Sequence, residues 1–208
     1  MTGADAPDPT VIDPLVAAAH AGLHADAVAL LRGWRAPDHG QSALREAFLG
    51  LLAARPDGTA RACVPGHLTA SCVVLSADRT SVLLTLHPRL GRWVQLGGHC
   101  EPTDASLYAA AVRETAEESG IPGCVLDPRP VHLDVHPLTC SLGVPTRHFD
   151  VRFLGVAPAG AVPAISTESD DLRFFPLDGL PDGVDEELRA TIDAAVHGAS
   201  SAGDGREP

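Results

Sequence analysis

The sequence predicts an α/β fold, an α/β/α sandwich built on a mixed sheet and preceded by a helical extension. The first observation is the order of the elements, because helical patterns fill roughly the first 60 residues and strands mixed with helices follow. The second is composition, since 45% of the 208 residues are hydrophobic and 20% are charged, as expected for a packed core. We expect a helical extension over residues 1–62 (about the first ten disordered), a main domain over 63–198 and a disordered tail over 199–208.

Two helical patterns occupy the extension. The Ala-, Leu- and His-rich stretch from Pro14 to Trp34 predicts one helix, or two with a break near Gly22. The segment QSALREAFLGLLAA, residues 41–54, repeats apolar residues at three- and four-residue spacings and predicts an amphipathic helix that ends in the turn 55–58. Packing on the main domain is the default interpretation of these helices. A homodimer interface and a lid over the site are the alternatives.

The main domain contains alternating hydrophobic patterns separated by turn residues. These patterns predict strands at residues 67–76, 81–87, 93–96, 131–137, 147–154 and 172–177. A helix is expected from about Ala105, with Asp104 as its N-cap and Gly120 in the C′ position. A last helix is predicted over residues 184–198. Strands and helices in this order are typical of an α/β sandwich with a mixed sheet.

Charge, hydropathy and cysteine content argue against several classes of function. A net charge of −12 disfavours nucleic-acid binding, which needs a basic surface. The absence of an 18-residue apolar run predicts no transmembrane helix and no membrane partner, and the first residues lack the features of a signal peptide. The five cysteines are odd in number and have no CxxC spacing, which favours reduced thiols and a cytoplasmic protein.

The segment RETAEESG, residues 113–120, concentrates negative charge on one helix. Glu114, Glu117 and Glu118 are three and four positions apart, so they share one face. Like charges at this spacing oppose helix formation by roughly 0.2–0.5 kcal/mol per pair. The chain has no lysine to offset them, and no basic neighbour is expected to do so. A bound cation is therefore the predicted reason for the cluster.

The whole stretch GGHCEPTDASLYAAAVRETAEESGI, residues 97–121, resembles the signature of the Nudix hydrolases. The match includes Arg113, the three glutamates, Gly120 and Ile121, and the flanking strands extend the resemblance over about residues 65–196. The loop departs from the family pattern, because Asp104 replaces a glutamate, one extra residue precedes Arg113, and Thr115 replaces an apolar residue. The family acid usually pairs with the motif arginine, so either Asp104 or Glu101 is expected to do so here.

The resemblance implies hydrolysis of a nucleoside diphosphate linked to another group, with Mg²⁺ or Mn²⁺ as cofactor. The chemistry agrees, because a diphosphate repels anionic nucleophiles and a divalent ion both neutralises its oxygens and generates a hydroxide-like water. Glu117 and Glu118 are the expected side-chain ligands, and Glu114 is either a ligand or the base that orients water. The family implies the carbonyl of Gly97 as a further ligand. Arg113 is expected to orient a glutamate rather than to touch the substrate.

One more carboxylate is predicted to act from a loop. Family members often carry a metal-ligand or base glutamate just before the last strand, and Glu168 stands at this place in the segment STESDDLRFF. Asp170 and Asp171 are its competitors, and a solvated loop residue is the alternative interpretation.

Two predicted antiparallel strands carry rows of polar residues that each point one way, namely His132, Asp134 and His136 on one strand and His148, Asp150 and Arg152 on the other. If the rows face one cleft, they bind base, ribose or phosphate. We expect Arg152 as a phosphate contact and His132 and His148 as further substrate-binding residues. A solvated sheet face, or burial under the helical extension, is the alternative.

Two other features have structural interpretations. Cys63, His67 and Cys72 lack a second CxxC or HxxxH element, so a zinc site is not predicted from them. Trp93 is expected to be a half-buried strand residue rather than a base-stacking platform.

Two rivals to the hydrolase remain: a non-catalytic nucleotide-binding module, and a diphosphate-ester isomerase for which Cys100 is the candidate acid.

Overall fold

The structure is a computed structural model that describes residues 11–139, 143–166 and 169–203, with side chains described through residue 197. Strands and helices alternate in it as predicted, and the α/β class with a mixed sheet is confirmed. The chain forms two compact units. The first contains residues 1–69, 99–110 and 133–151, and the second contains residues 70–98, 111–132 and 152–208. The domain boundary at residue 62 stays a prediction.

Seven strands form one sheet within the described residues. They are β1 (His67–Leu75), β2 (Ser81–His87), β3 (Arg92–Val94), β4 (Leu96–His99), β5 (Val125–Thr139), β6 (Pro145–Val156) and β7 (Asp171–Pro176). The central order is β3-β2-β1-β6-β5, while β4 pairs with β1 and β7 pairs with β2. A connection as short as the one between β5 and β6 permits only antiparallel pairing, as predicted.

The core of the second unit lies between one face of the sheet and the last helix, α5 (Glu186–Gly203) in the numbering below. Val73, Leu75 and Val82 of the sheet pack in one cluster with Leu188 and Ile192 of this helix. Alternate residues of β1 belong to this cluster because side chains on a strand point to opposite faces at every second position. Burial on both faces keeps all nine residues of β1 out of solvent.

Three helices precede the sheet: α1 (Pro14–Ala19), α2 (Ala21–Gly33) and α3 (His39–Ala54). The predicted break near Gly22 is instead at His20, whose buried ring lies 3.2 Å from the hydroxyl of Thr59. The side chain of Gln41 donates to the carbonyl of Leu133 and accepts from its N–H, at 3.0 and 2.7 Å. Helix α3 is therefore fixed to strand β5 by a buried amide, which agrees with the default interpretation that the extension packs on the rest of the chain.

The helix that carries the glutamates, α4 (Leu107–Ser119), begins two residues later than expected, and its N-cap is not Asp104. Ser106 caps it, because its hydroxyl accepts from the N–H of Ala109 at 3.0 Å. The N–H of Leu107 donates to a carboxylate oxygen of Asp26, a residue of α2. Asp104 instead accepts from the N–H of Glu101 at 2.8 Å and closes the preceding turn. The cap prediction was wrong because the helix begins at Leu107, which puts Ser106 in the N-cap position and leaves Asp104 in the preceding turn.

The C-terminal end of α4 is as predicted. Gly120 has φ +60°, and its N–H donates to the carbonyl of Ala116, as in a left-handed C-cap. A Cβ at this position would lie 2.7 Å from the side chain of Ala164. Both the backbone conformation and the close approach of a later loop therefore require glycine at residue 120.

Other boundaries also differ from the predictions, and β5 begins at Val125 rather than at residue 131. The predicted strand 93–96 is divided at Gln95, because β3 pairs with β2 whereas β4 pairs with β1. The last helix, α5, continues past Gly198 to Gly203, so residues 199–203 are helical rather than disordered. The two alanines and two serines after Gly198 are compatible with a helix, and residues 204–208 lie outside the described part of the chain.

Candidate active site

A pair of glycines in the middle of strand β4 forms the backbone of the candidate site. Gly97 has φ +147°, and a Cβ there would lie 2.4 Å from the Cβ of Ser71. A Cβ on Gly98 would lie 2.7–2.8 Å from the carboxylate atoms of Glu114. Strand β4 can approach both β1 and the glutamate-bearing helix this closely because residues 97 and 98 both lack a side chain.

Glu114, Glu117 and Glu118, here called the glutamate face, project from helix α4, and two of them lie against the glycine pair. The N–H of Gly97 donates to a carboxylate oxygen of Glu118 at 2.9 Å. The carboxylate of Glu114 occupies the space in which a side chain of residue 98 would lie. The backbone of the glycines therefore holds two carboxylates side by side at one end of the motif.

Arg113 lies among the glutamates and offsets part of their charge. Its guanidinium donates to Glu114 at 2.9 Å and to Glu117 at 3.1 Å. The expectation that no basic residue opposes the cluster is therefore wrong, although one arginine faces three carboxylates. The side chain of Glu114 is 13% exposed and that of Glu117 is 60% exposed, so the face runs from a protected carboxylate to one in solvent.

The predicted loop carboxylates are placed as follows. Glu168 lies outside the described residues, so its role stays a prediction. Of its competitors, Asp171 forms an ion pair with Arg173 and accepts from the N–H of Leu172 at 2.8 Å. The N–H of Asp170 donates to the carbonyl of Leu86, which continues the pairing of the last strand with β2. The structure gives both aspartates a place in or beside strand β7.

Comparisons with known proteins agree with this geometry. The family model described as "NUDIX domain" matches residues 65–195, well over half of the chain. The chain belongs to the NUDIX family. As a NUDIX protein with an intact glutamate motif, it is a hydrolase that acts on pyrophosphate bonds. No curated protein matches the sequence.

Solved structures show the same NUDIX fold at low sequence identity. A NUDIX-family hydrolase from Clostridium perfringens is 21% identical, with 64% of this chain and 97% of that chain covered and a TM-score of 0.53. The MutT protein from Methanosarcina mazei Go1 is 19% identical, with 65% and 96% covered and a TM-score of 0.52. The E. coli dihydroneopterin triphosphate pyrophosphohydrolase is 19% identical, with 63% and 95% covered and a TM-score of 0.51. Identities this low establish the fold but not the substrate.

Arg152 and His132, two of the predicted substrate-binding residues, lie under helix α5 of the NUDIX protein. The buried guanidinium of Arg152 donates to the hydroxyl of Thr191 at 2.5 Å and to the carbonyl of Glu187 at 3.5 Å. The Nδ1 atom of His132 lies 3.3 Å from the same hydroxyl. The structure brings the two residues together, as predicted, but it gives them partners on the helix. Their contact with a phosphate stays a prediction.

The third predicted substrate-binding residue, His148, lies among other histidines. Its ring is about 5 Å from those of His67 and His99, and 5.4 Å from that of His136. Burial lowers the pKa of His148 to about 3, and the neighbouring His67 and His136 add to this shift. Burial likewise lowers the pKa of His99 to about 3 and that of His67 below its ordinary value. These rings are neutral at pH 7.

Cys63 and Cys72, the cysteines considered from the sequence as zinc ligands, are both buried. Cys63, Cys72, Cys100 and Cys124 are free thiols. Burial and the charge of Asp57 raise the pKa of Cys63 to about 11, and burial raises that of Cys72 to about 12. Both are therefore protonated at pH 7. Sequence reasoning missed that His67 instead meets His99 and His148, because residues so far apart in the chain carry no local spacing signal.

Trp93 is partly buried, as expected, and its ring packs edge-on against Phe175 at 4.7 Å between centroids. The guanidinium of Arg173 lies over the indole at 5.3 Å. A cation over the ring and an aromatic neighbour account for the tryptophan as a packed strand residue.

No described helix is long and apolar enough to cross a membrane.

Proposed function

We propose that this NUDIX hydrolase cleaves the diphosphate of a nucleotide or nucleoside-diphosphate derivative with Mg²⁺ or Mn²⁺. The observation that carries the proposal is a helix face of three carboxylates, two of which lie against the backbone of Gly97 and Gly98. Glu118 is hydrogen-bonded to Gly97, and Glu114 lies against Gly98. Glu117 extends the same helix face into solvent.

The donor set of the glutamate face fits a hard divalent cation. Mg²⁺ takes oxygen ligands and keeps several waters, so a few carboxylates on an accessible face suit it better than an enclosed protein cage. Glu114, Glu117, Glu118 and the carbonyl of Gly97 would hold it. When bound, such an ion neutralises diphosphate oxygens and lowers the pKa of a bound water. With a net charge of −12 on the chain, an anionic substrate needs this local positive charge.

The residues of the motif have separable roles in this proposal. Arg113 holds the carboxylates of Glu114 and Glu117 in fixed orientations and reduces their mutual repulsion. Glu117 and Glu118 serve as metal ligands. Glu114, which is nearly enclosed, is a ligand or the base that takes a proton from water. Glu168 is the alternative base, supplied from the loop before β7.

Two rival functions fit the structure less well. A nucleotide-binding module that does no chemistry has no need of three carboxylates clustered on one helix face, two of them against a double glycine. A diphosphate-ester isomerase needs an acid that reaches a substrate carbon, and Cys100 is buried, with 4% of its surface exposed. We therefore favour hydrolysis. The free thiols of Cys63, Cys72 and Cys100 support the proposed cytoplasmic location.

Incubation with a panel of nucleoside diphosphate derivatives, in Mg²⁺ or Mn²⁺, tests the proposal. The expected result is release of two phosphate-containing products from at least one compound, with no release by the Glu117→Gln variant. Tight binding of a nucleotide without product release would favour the binding module instead. A rearranged product that retains the intact diphosphate would favour the isomerase.

A further inference from the structure

Three histidines from separate strands converge in the first compact unit, and we call them the histidine triad. His67 begins β1, His99 ends β4, and His148 lies in β6. The ring centroids form a nearly equilateral triangle, with sides of 5.2 Å (His67–His99), 5.0 Å (His67–His148) and 5.0 Å (His99–His148). One ring nitrogen from each histidine lies within 4.8 Å of the other two.

Two nitrogens of the triad are buried without a partner. Within the described residues, no hydrogen bond reaches the Nε2 atoms of His67 and His148. His67 is 1% exposed, and a buried polar atom that makes no hydrogen bond carries an uncompensated desolvation cost. Packing alone does not account for two such atoms beside each other, whereas a ligand that accepts their lone pairs does.

The tautomer of His67 is the one that a metal ligand requires. Its Nδ1 lies 3.1 Å from the carbonyl oxygen of Cys63, which can only accept a hydrogen bond. Nδ1 therefore carries the proton in the neutral ring, and Nε2 presents a lone pair towards the triad. A backbone carbonyl behind the ring is a common support for histidines that bind metals.

The spacing of the rings matches a tetrahedral ion. Zinc binds histidine nitrogen at about 2.0–2.1 Å, which places ring centroids about 3.2 Å from the ion and about 5.2 Å from one another at tetrahedral angles. The observed sides of 5.0–5.2 Å agree with this value. The rings therefore need to turn about their centroids, without moving apart or together, to direct their nitrogens at one point.

Charged groups of both signs act on the triad. Asp150 accepts from the hydroxyl of Thr69 at 2.9 Å, and its negative charge acts on His148. The positive charge of Arg61 acts on all three histidines. The donor nitrogens and their spacing, rather than the net charge, therefore favour a metal ion here.

We propose that His67, His99 and His148 bind a transition-metal ion of the Zn²⁺ class. Imidazole nitrogen suits zinc and its neighbours, whereas Mg²⁺ takes oxygen ligands, so this ion differs from the one assigned to the glutamate face. Three protein ligands leave the fourth position of a tetrahedral ion open to water or to a substrate oxygen. The inference does not depend on the proposed hydrolase activity.

Zinc stoichiometry tests the proposal directly. The purified full chain is stripped with a chelator, incubated with Zn²⁺ in a large excess of Mg²⁺, freed of unbound metal by gel filtration, and analysed for zinc by atomic emission. We expect one zinc per chain in the wild type and at least a tenfold loss in His99→Asn and His148→Asn. His132→Gln is the matched control, because this partly buried histidine of β5 lies outside the triad, and it should retain one zinc.

A second control separates the two clusters. Glu117→Gln should also retain one zinc, and loss of zinc in this variant would place the ion at the glutamate face and overturn the proposal. A wild-type protein that retains no zinc, or triad variants that bind as much as the wild type, would overturn it as well. Zinc content is measured independently of catalysis. An inactive protein that binds zinc would contradict only the proposed function, and an active protein that binds none would contradict only the zinc site.

Cobalt spectroscopy keeps the test decisive if the triad variants do not fold. Co²⁺ added to the stripped wild-type protein should give the strong visible absorption of a tetrahedral site and should be displaced by Zn²⁺. A weak octahedral spectrum would contradict the proposal. At a hundredfold excess over Kd, Zn²⁺ should also raise the Tm of the wild type by roughly 5–10 °C.

Discussion

The glutamate face and the histidine triad are assembled by the chain in opposite ways. The three glutamates lie within five consecutive positions of one helix, so the helical period alone brings them together. The triad draws His67, His99 and His148 from three strands, so it exists only once the sheet has formed. A set of ligands carried by one element can therefore be predicted from the sequence. A set divided among several strands can be predicted only when the strand topology is known.

The two groups also differ in charge and solvent. Glu117 is 60% exposed, and Arg113 offsets part of the charge on its neighbours, so the carboxylates remain close to water. His67 is 1% exposed, and burial keeps the imidazoles of the triad neutral. Charged oxygen near solvent suits a hydrated hard cation, whereas buried neutral nitrogen suits a partly dehydrated, softer one.

Removal of one ligand from the glutamate face should have the largest effect. We expect Glu117→Gln to lower kcat by at least about 10³-fold, because it removes a metal ligand, while the chelated protein keeps its stability within about 1 kcal/mol. The substitution removes an exposed ion pair with Arg113 and also relieves repulsion from two glutamates, so the two effects oppose each other. Steady-state kinetics and urea unfolding in chelator measure both quantities. Unfolding of the metal-free variant would show a structural role instead.

A substitution at Glu168 tests whether the catalytic base lies outside the glutamate face. If this loop carboxylate is the base, Glu168→Gln should lower kcat by about 10²–10⁴-fold and leave the Tm unchanged. Asp170→Asn and Asp171→Asn are the matched controls and should stay near the parent rate. Equal turnover in all three variants would assign the base to Glu114 or to another glutamate of the helix.

Gly98→Ala should disturb the glutamate face without changing any charge. The added Cβ would lie 2.7–2.8 Å from the carboxylate atoms of Glu114, so this side chain has to move away from the site. We expect kcat to fall by about 10²-fold, because a small misplacement of a catalytic group is costly. Gly22→Ala in helix α2 is the control, since its Cβ meets nothing within 4 Å and alanine favours a helix interior. If both variants have wild-type kcat, the fit between Gly98 and Glu114 has no catalytic importance.

The histidine triad should respond to acid when it is free of metal. Burial lowers the pKa of His148 from 6.5 to about 3, so the unfolded chain takes up a proton before the folded one does. Its contribution to stability is therefore complete above pH 6.5 and is lost progressively as the pH falls towards 3. Between pH 6.5 and pH 5, His148→Gln should lose about 1–2 kcal/mol less stability than the wild type in urea unfolding with chelator present. Identical losses would show that His148 does not resist protonation.

Much of the fold was predictable because its signals are local. Alternating hydrophobicity located the paired strands β5 and β6, and Gly120 marked the end of α4. The glutamate cluster itself was also visible, since its spacing coincides with the period of a helix. The family match over residues 65–195 confirms the resemblance that was read from this motif.

The remaining features depend on contacts between distant residues. Asp26 of α2 accepts the first free N–H of α4, which no pattern near Asp104 reveals. The division of the predicted third strand at Gln95 follows from pairing with two different neighbours. His67 and His148 are brought together by strand order alone. Arg113 was expected to orient a glutamate, but its ion pair with Glu117 appears only when the side chains are placed.

Metal dependence of hydrolysis is the most direct test of the account. The protein is stripped with EDTA, the chelator is removed, and turnover of a diphosphate substrate is measured with Mg²⁺, Mn²⁺ or Zn²⁺ added separately. We predict no measurable turnover in the stripped protein and full recovery of turnover with Mg²⁺ or Mn²⁺, because the oxygen ligands of the glutamate face prefer these ions. Full activity after rigorous chelation would contradict it, since the three glutamates would then have no metal to hold.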